Sequence, residues 1–402
     1  MSAQSLVSGE TSLAEQSPAH QVAIYVQEHL TRYLHELTDL CAIDSGTAHK
    51  SGVDEVALYL AGRMRGLDMD VTIFENERWG NDVYGVLRGT GKGVVVLLGH
   101  MDTVYPVGTA AARPVRVEDD MIYGPGVIDM KGCILSGIYA LEALQSIHYH
   151  DFAEVRFLCV SDEEISDRHS KETIRHVCTG CHATLVLEAA RENGDLVSAR
   201  KGGAWYKLRA SGHAAHAGVE PEKGANAILE LSHQIAQFQS LNGWREGLTI
   251  NTGRIQGGIA TNVVPDFAEA CIDVRFAKTE DRVALEQRWN EMMQQKLVPN
   301  VTLTLEIDPD DREPMLCTPE NLYMAQRAQE IARGLGFEVR HAPTGGISDA
   351  NYASGFGYPA LDGLGPVGGL DHSPNEYMEK DSIAPRTALL AGLIASIGST
   401  GQ

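Results

Sequence analysis

Basic residues are what this chain of 402 residues is short of: Lys and Arg total 33 against 54 Asp and Glu, a formal charge of -21. That balance argues against nucleic acid or an anionic membrane as a partner, because the electrostatic term opposes contact with either. A disulfide framework is missing too. The seven cysteines are scattered and odd in number, which suits a reducing compartment. No apolar run has the length to span a bilayer. Residues 1–20 lack the basic and apolar regions of a secretory signal, so the expected setting is the cytoplasm, with a flexible tail over 1–20.

What is present is a hydrophobic content of 43%, enough for a large core and two domains. Apolar spacing predicts helices over 21–40 and 53–65, then strands over 71–75 and 82–88. The run Val94-Val-Val-Leu-Leu-Gly-His100 reads as a buried strand covered on both faces. A helix over 133–144, a strand over 155–160, a helix over 170–177 and a strand over 184–187 follow. This alternation implies a mainly parallel sheet with helices on both faces. Strand, helix, two strands, helix and strand between 205 and 307 then give βαββαβ, the split ferredoxin-like unit. A helix over 321–335, a strand over 337–341, a glycine-rich segment and a helix over 384–397 return to the α/β pattern. The expected organisation is therefore a discontinuous catalytic domain, 21–201 with 314–402, and an inserted α+β domain, 202–313.

Three strand ends carry His100 and Asp102, Glu163 and Glu164, and Glu188. Parallel strands bring such ends together, and ligands of open α/β sheets bind there. Loops with Asp129 and with Asp371-His372 reach the same rim. Carboxylates gathered in one cleft repel each other unless cations hold them. Histidine with Asp and Glu, and no cysteine, suits zinc or a similar divalent ion in an open site. Two ions can share a bridging carboxylate. The pair Glu163-Glu164 fits a division in which one ligates and the other is a general base.

The stretches His100-Met-Asp102-Thr-Val, Gly126-Val-Ile-Asp129-Met-Lys131-Gly132, Asp162-Glu163-Glu164, Ser211-Gly-His-Ala-Ala-His216-Ala-Gly218, Thr261-Asn262-Val-Val-Pro265, Asp273-Val-Arg275 and Asp371-His372-Ser-Pro-Asn-Glu376 together resemble the M20 metallopeptidases and deacylases. Within that family the chain is similar to the glutamate carboxypeptidase (carboxypeptidase G2-like) branch. The resemblance runs over nearly the whole chain in family order. It implies two Zn2+ per subunit, with Co2+ or Mn2+ as substitutes. Asp129 would bridge them, with His100 and Glu188 at one ion and Glu164 and His372 at the other. Asp102 would orient His100. Glu163 would be the general base, passing a proton from the water between the ions to the leaving amine. His216 and Asn262, from the lid of a partner subunit, would polarise the scissile carbonyl, which makes a homodimer necessary. Arg275, Arg312 and the loop at Gly346 would hold a substrate carboxylate.

The implied activity is hydrolysis of an amide to an amino acid with a free carboxylate, Glu or Asp by branch. An acetylornithine deacetylase-like enzyme, a neutral aminoacylase or a dipeptidase would use the same mechanism. A non-catalytic metal-binding scaffold is the alternative of another class, and the retained ligands and Glu163 speak against it. The chain departs from the family at Cys133, where glycine is usual, and at Ala189, where proline is usual. His213 does not match the catalytic histidine. Cys178-Thr-Gly-Cys181-His182 has the spacing of a haem attachment or dithiol motif, but reads as a turn with two incidental cysteines. Asn300-Val-Thr302 has the glycosylation pattern, which carries no meaning without secretion.

Overall fold

The computed structural model describes residues 17–401, and the chain divides into two units: residues up to 198 with 318–342 and 358 onward, and residues 199–317 with 343–357. The tail expected over 1–20 falls largely on residues 1–16, outside those described. Its last residues are helical instead. Ser17 caps His20 and Pro18 takes the first helical position, where its missing N–H costs nothing.

In the first unit the helix expected over 21–40 is two helices, α1 (Pro18–Glu28) and α2 (Leu30–Cys41). They part at His29, whose ring bonds the Tyr25 carbonyl at 2.8 Å and stacks on the Tyr25 ring. Then come α3 (Lys50–Gly66), β1 (Asp70–Phe74), β2 (Asp82–Arg88), β3 (Val94–His100), α4 (Lys131–Ser146), β4 (Glu154–Val160), α5 (Lys171–Cys178) and β5 (Ala183–Val186). The second unit holds β6 (Gly202–Ser211), α6 (Ala227–Gln239), β7 (Thr249–Gly257), β8 (Phe267–Phe276), α7 (Thr279–Met292) and β9 (Thr302–Ile307). The chain then returns to the first unit with α8 (Pro319–Gly334), β10 (Ala360–Leu361) and α9 (Ile383–Thr400).

The six-stranded sheet of the first unit has the order β1-β2-β4-β3-β5-β10. β3 pairs parallel with β4 and β5, and β10 parallel with β5; β1, β2 and β4 pair antiparallel in sequence. Val95 to Leu98 of β3 are fully buried, each adding roughly 1.5–3 kcal/mol of apolar transfer. α4 lies close because Gly137 has no side chain: a Cβ there would sit 2.7 Å from the Phe157 ring. The stretch 380–400 is long and apolar enough to cross a bilayer, which corrects the reading that no such run exists. It is a core helix, mostly buried and packed on α1 and α4. A small antiparallel sheet of Arg116–Glu118, Met121–Tyr123, Tyr377–Glu379 and Gly368–Gly369 ties the 126–129 loop to the 371–376 loop.

In the second unit four antiparallel strands run in the order β7-β8-β6-β9, the ferredoxin-like arrangement. Trp289 and Phe238 stack at 4.4 Å in its core. Two readings of 314–402 need correction. Residues 343–357 cluster with the second unit, and their helix Asp349–Gly355 is fixed by the Ser348–Asn351 capping box rather than by any apolar period. The strand is at His341–Thr344, not at 337–341, because it pairs with Leu196–Arg200.

Candidate metal centre

β3 ends at His100, β4 runs into Glu163 and Glu164, and β5 leads to Glu188. Adjacent parallel strands put these ends side by side. The structure brings together the candidates of this unit. His100 Nε2 lies 2.9 Å from Asp129 Oδ1 and 3.9 Å from Glu188 Oε1. His372 Nε2 lies 3.1 Å from Asp129 Oδ2 and 3.2 Å from Glu164 Oε2. Asp129 thus presents each carboxylate oxygen to a different imidazole. Two sets of donor atoms, His100-Asp129-Glu164 and Asp129-Asp371-His372, each fit within 4.8 Å and overlap at Asp129.

The electrostatics call for positive charge here. Hydrogen bonds to Asp129 and Glu164 push His372 up to about 11. Burial pushes Glu164 up to about 7 although His372 opposes it, and burial raises Glu188 well above the usual carboxylate range. Burial also opposes ionisation of Asp129, but the bonds from His100 and His372 overcome it and hold its carboxyl down. Glu164 Oε1 is buried with no hydrogen-bond partner. An orphaned carboxylate oxygen in a His–carboxylate cluster fits a divalent cation of the zinc, cobalt or manganese kind.

Asp102 is fully buried and does more than orient one ring. The His100 Nδ1 bond goes to the Asp102 carbonyl at 3.0 Å, with the carboxylate at 3.4 Å. The carboxylate itself accepts the backbone N–H of Glu163 and of Glu164, both at 3.2 Å, and the Thr47 hydroxyl at 2.7 Å. It therefore sets the histidine and the two-glutamate turn together.

Glu376, which sequence reasoning quoted but gave no role, is buried behind this site. Its carboxylate accepts N–H bonds from Gly126, Ile128 and Asp129 at 2.9, 3.0 and 3.1 Å and the Tyr105 hydroxyl at 2.8 Å. It fixes the loop that aims Asp129. The available signal was its place at the end of the Asp371–Glu376 motif. Lys131 is buried and donates to the Leu40 carbonyl in the last turn of α2 at 3.0 Å and to the Ile43 carbonyl just beyond it at 2.7 Å, so it closes that helix end. Cys133 donates to the Ile128 carbonyl at 3.2 Å and is accommodated.

The remaining candidates belong to the second unit. His216 and Asn262 are exposed on adjoining segments: His216 bridges Val263 and the Ala217 N–H bonds the Asn262 carbonyl at 3.0 Å. Arg275 already grips Asp273 through Nε and Nη2 at 2.9 and 2.8 Å. Arg312 is buried with its guanidinium 4.7 Å from the Tyr352 ring centre. The Gly346 carbonyl accepts from Arg200 at 3.2 Å. His213 is exposed, its backbone paired with Ala225.

The model of peptidase family M20/M25/M40 matches residues 96–396. The chain is 29% identical over 371 residues to carboxypeptidase G2 of Pseudomonas sp., covering 90% of this chain and 88% of that protein. It is 28% identical over 310 residues to succinyl-diaminopimelate desuccinylase of Nitrosococcus oceani, covering 72% and 80%. The Bacillus subtilis YXEP structure, described as a dinuclear metal binding peptidase from M20 family, shares the fold with TM-score 0.69 and 16% identity over 93% of this chain and 99% of that one.

Proposed function

The chain belongs to peptidase family M20/M25/M40, and from that premise we propose that it is a zinc-dependent amidohydrolase that releases Glu or Asp from an N-acyl or peptide substrate. The family and its relatives make it a metallohydrolase acting on amide bonds, and the description of YXEP as a dinuclear metal binding peptidase supports two ions. The observation that carries the mechanism is Asp129, with its two oxygens 2.9 and 3.1 Å from two different imidazoles.

In this reading His100, Glu188 and Asp129 would hold one ion, and Glu164, His372 and the second oxygen of Asp129 would hold the other. When bound, the ions supply Lewis acidity toward water and the scissile carbonyl. The Glu163 carboxylate takes the proton of the attacking water and gives it to the departing nitrogen. Asp102 holds the Glu163 backbone in place for that transfer. His216 of the partner subunit, with Asn262 beside it, donates to the developing oxyanion, so the working unit is a homodimer. Arg312 holds the free carboxylate of the amino acid. Arg275, engaged by Asp273, shares that task only through exchange of its partner, and the Gly346 loop lines the same subsite.

Glu or Asp as the released amino acid is favoured by the likeness to carboxypeptidase G2. The likeness to a desuccinylase favours a second reading, a deacylase of basic or diamino acids. A panel with one acyl group on Glu, Asp, Ala, Leu and ornithine separates them. At equal concentration, amine release from the zinc-loaded enzyme is expected to be at least about tenfold faster for Glu or Asp. Preference for ornithine or Leu would replace the substrate assignment.

A further inference from the structure

The Cys178-Thr-Gly-Cys181 segment lies outside the catalytic apparatus, and its geometry gives it a use. Cys178 is the last residue of α5, and Cys181 stands two residues before β5. Thr179 has φ -56° and ψ 119°, Gly180 has φ +72°, and the Cys181 N–H bonds the Cys178 carbonyl at 3.1 Å. These are the angles and the hydrogen bond of a type II turn with cysteine at its first and last positions. Such a turn holds the outer Cα atoms within about 7 Å, and a disulfide spans about 4.4–6.8 Å. Both thiols also converge on one atom: Cys178 Sγ and Cys181 Sγ each lie 3.6 Å from Thr184 Oγ1.

We propose that Cys178 and Cys181 are a reversible dithiol–disulfide site, oxidised by a small-molecule disulfide such as glutathione disulfide. The two thiols differ as attacking and resolving thiols must. Cys181 is half-buried and lines an open pocket with His182, Tyr323 and Pro359, whereas Cys178 is buried. Arg156 braces the turn through the Val177 and Thr179 carbonyls, both at 2.8 Å, and its charge favours thiolate. Neither cysteine opens a helix, the placement that most activates an attacking thiol. The pair therefore responds to its own surroundings rather than oxidising other proteins.

The chemistry balances. Cys181 thiolate attacks one sulfur of glutathione disulfide and expels glutathione thiolate. Cys178, losing its proton, attacks Cys181 Sγ and expels the second. One S–S bond forms and one breaks, two electrons pass from the protein thiols to the glutathione disulfide, and the two thiol protons leave with the two glutathiones.

The test is equilibration of the folded, metal-loaded chain in graded ratios of glutathione disulfide to glutathione, quenching with N-ethylmaleimide, and peptide mass analysis. The expected result is loss of two hydrogens, with no alkylation, confined to the peptide that holds both cysteines, and full reversal by excess glutathione. Cys178→Ser is expected to leave a glutathione adduct stalled on Cys181. Cys181→Ser is expected to slow modification of Cys178 by at least about tenfold. Circular dichroism of each oxidised sample checks that the fold persists. The proposal is overturned if both cysteines are still alkylated at the most oxidising ratio while exposed Cys317 carries an adduct, or if the disulfide forms only in urea.

Discussion

Asp129 and Glu376 show how a single carboxylate can act through backbone. Asp129 faces two imidazoles, but its direction comes from Glu376, whose four accepted bonds include the Asp129 N–H itself. Glu376→Gln would turn an amide NH2 toward a rim of N–H donors. We expect zinc affinity to fall about 10–100-fold, as for other groups that orient ligands, with the far-UV spectrum unchanged. Unchanged affinity by competition with a chromophoric chelator would remove Glu376 from the account. At this scale the clustering of the candidate ligands was legible because His, Asp and Glu at strand ends have a chemical signature. Glu376 was not, because accepting backbone N–H bonds leaves no pattern in side-chain types. Arg275 is engaged for a local reason: Asp273 stands two residues away on the same face of β8 and accepts from its guanidinium.

At the scale of elements, the turn after β4 is anchored by a buried acid pair. The Ser170 hydroxyl lies 2.8 Å from Asp82 Oδ1 and 2.5 Å from Asp162 Oδ1. Its one proton serves two carboxylates, and the Ser161 hydroxyl also donates to Asp82 Oδ1 at 2.8 Å. Burial pushes Asp82 up to about 6, with Ser170 and His169 opposing. The folded chain thus holds a proton there that an unfolded aspartate releases at lower pH. Asp82 contributes stability below the ordinary aspartate range, and that contribution is lost as pH rises through about 6. Asp82→Asn stays neutral throughout. The melting temperature of the variant relative to the natural chain is expected to rise between pH 5 and 7.5, by about 1–2 °C per kcal/mol relieved. A constant difference across that range would contradict it. Elements marked by a clear period or an apolar run were read almost to the residue, β2 and β3 among them. The strand at His341–Thr344 and the helix at Asp349–Gly355 were not, because pairing and a capping box decide them rather than periodicity.

For the whole molecule, the proposed exchange of His216 between subunits makes a prediction that no single subunit can meet. Glu163→Ala and His216→Ala should each be nearly inactive alone. Mixed, refolded together and allowed to exchange, they should recover about a quarter of natural activity, since half the dimers are mixed and each has one complete site. No recovery, with exchange shown by differently tagged chains, would place His216 in its own subunit's site or outside catalysis. The two-domain plan was legible from the change of strand–helix order near residue 200. The assignment of 343–357 to the second unit was not, since a contact made by chain returning from far along the sequence has no local mark.

The central claim is amide hydrolysis at a two-metal centre built on Asp129, and metal titration tests it most directly. The protein is stripped with chelator, zinc is added in measured equivalents, and amine release from an N-acyl glutamate is followed beside bound zinc. We expect the stripped chain to be inactive and activity to climb until two equivalents are bound, with Asp129→Asn failing to retain the pair. A stripped chain as active as the loaded one, or a chain holding two zinc ions that hydrolyses no amide in the panel, would contradict the account.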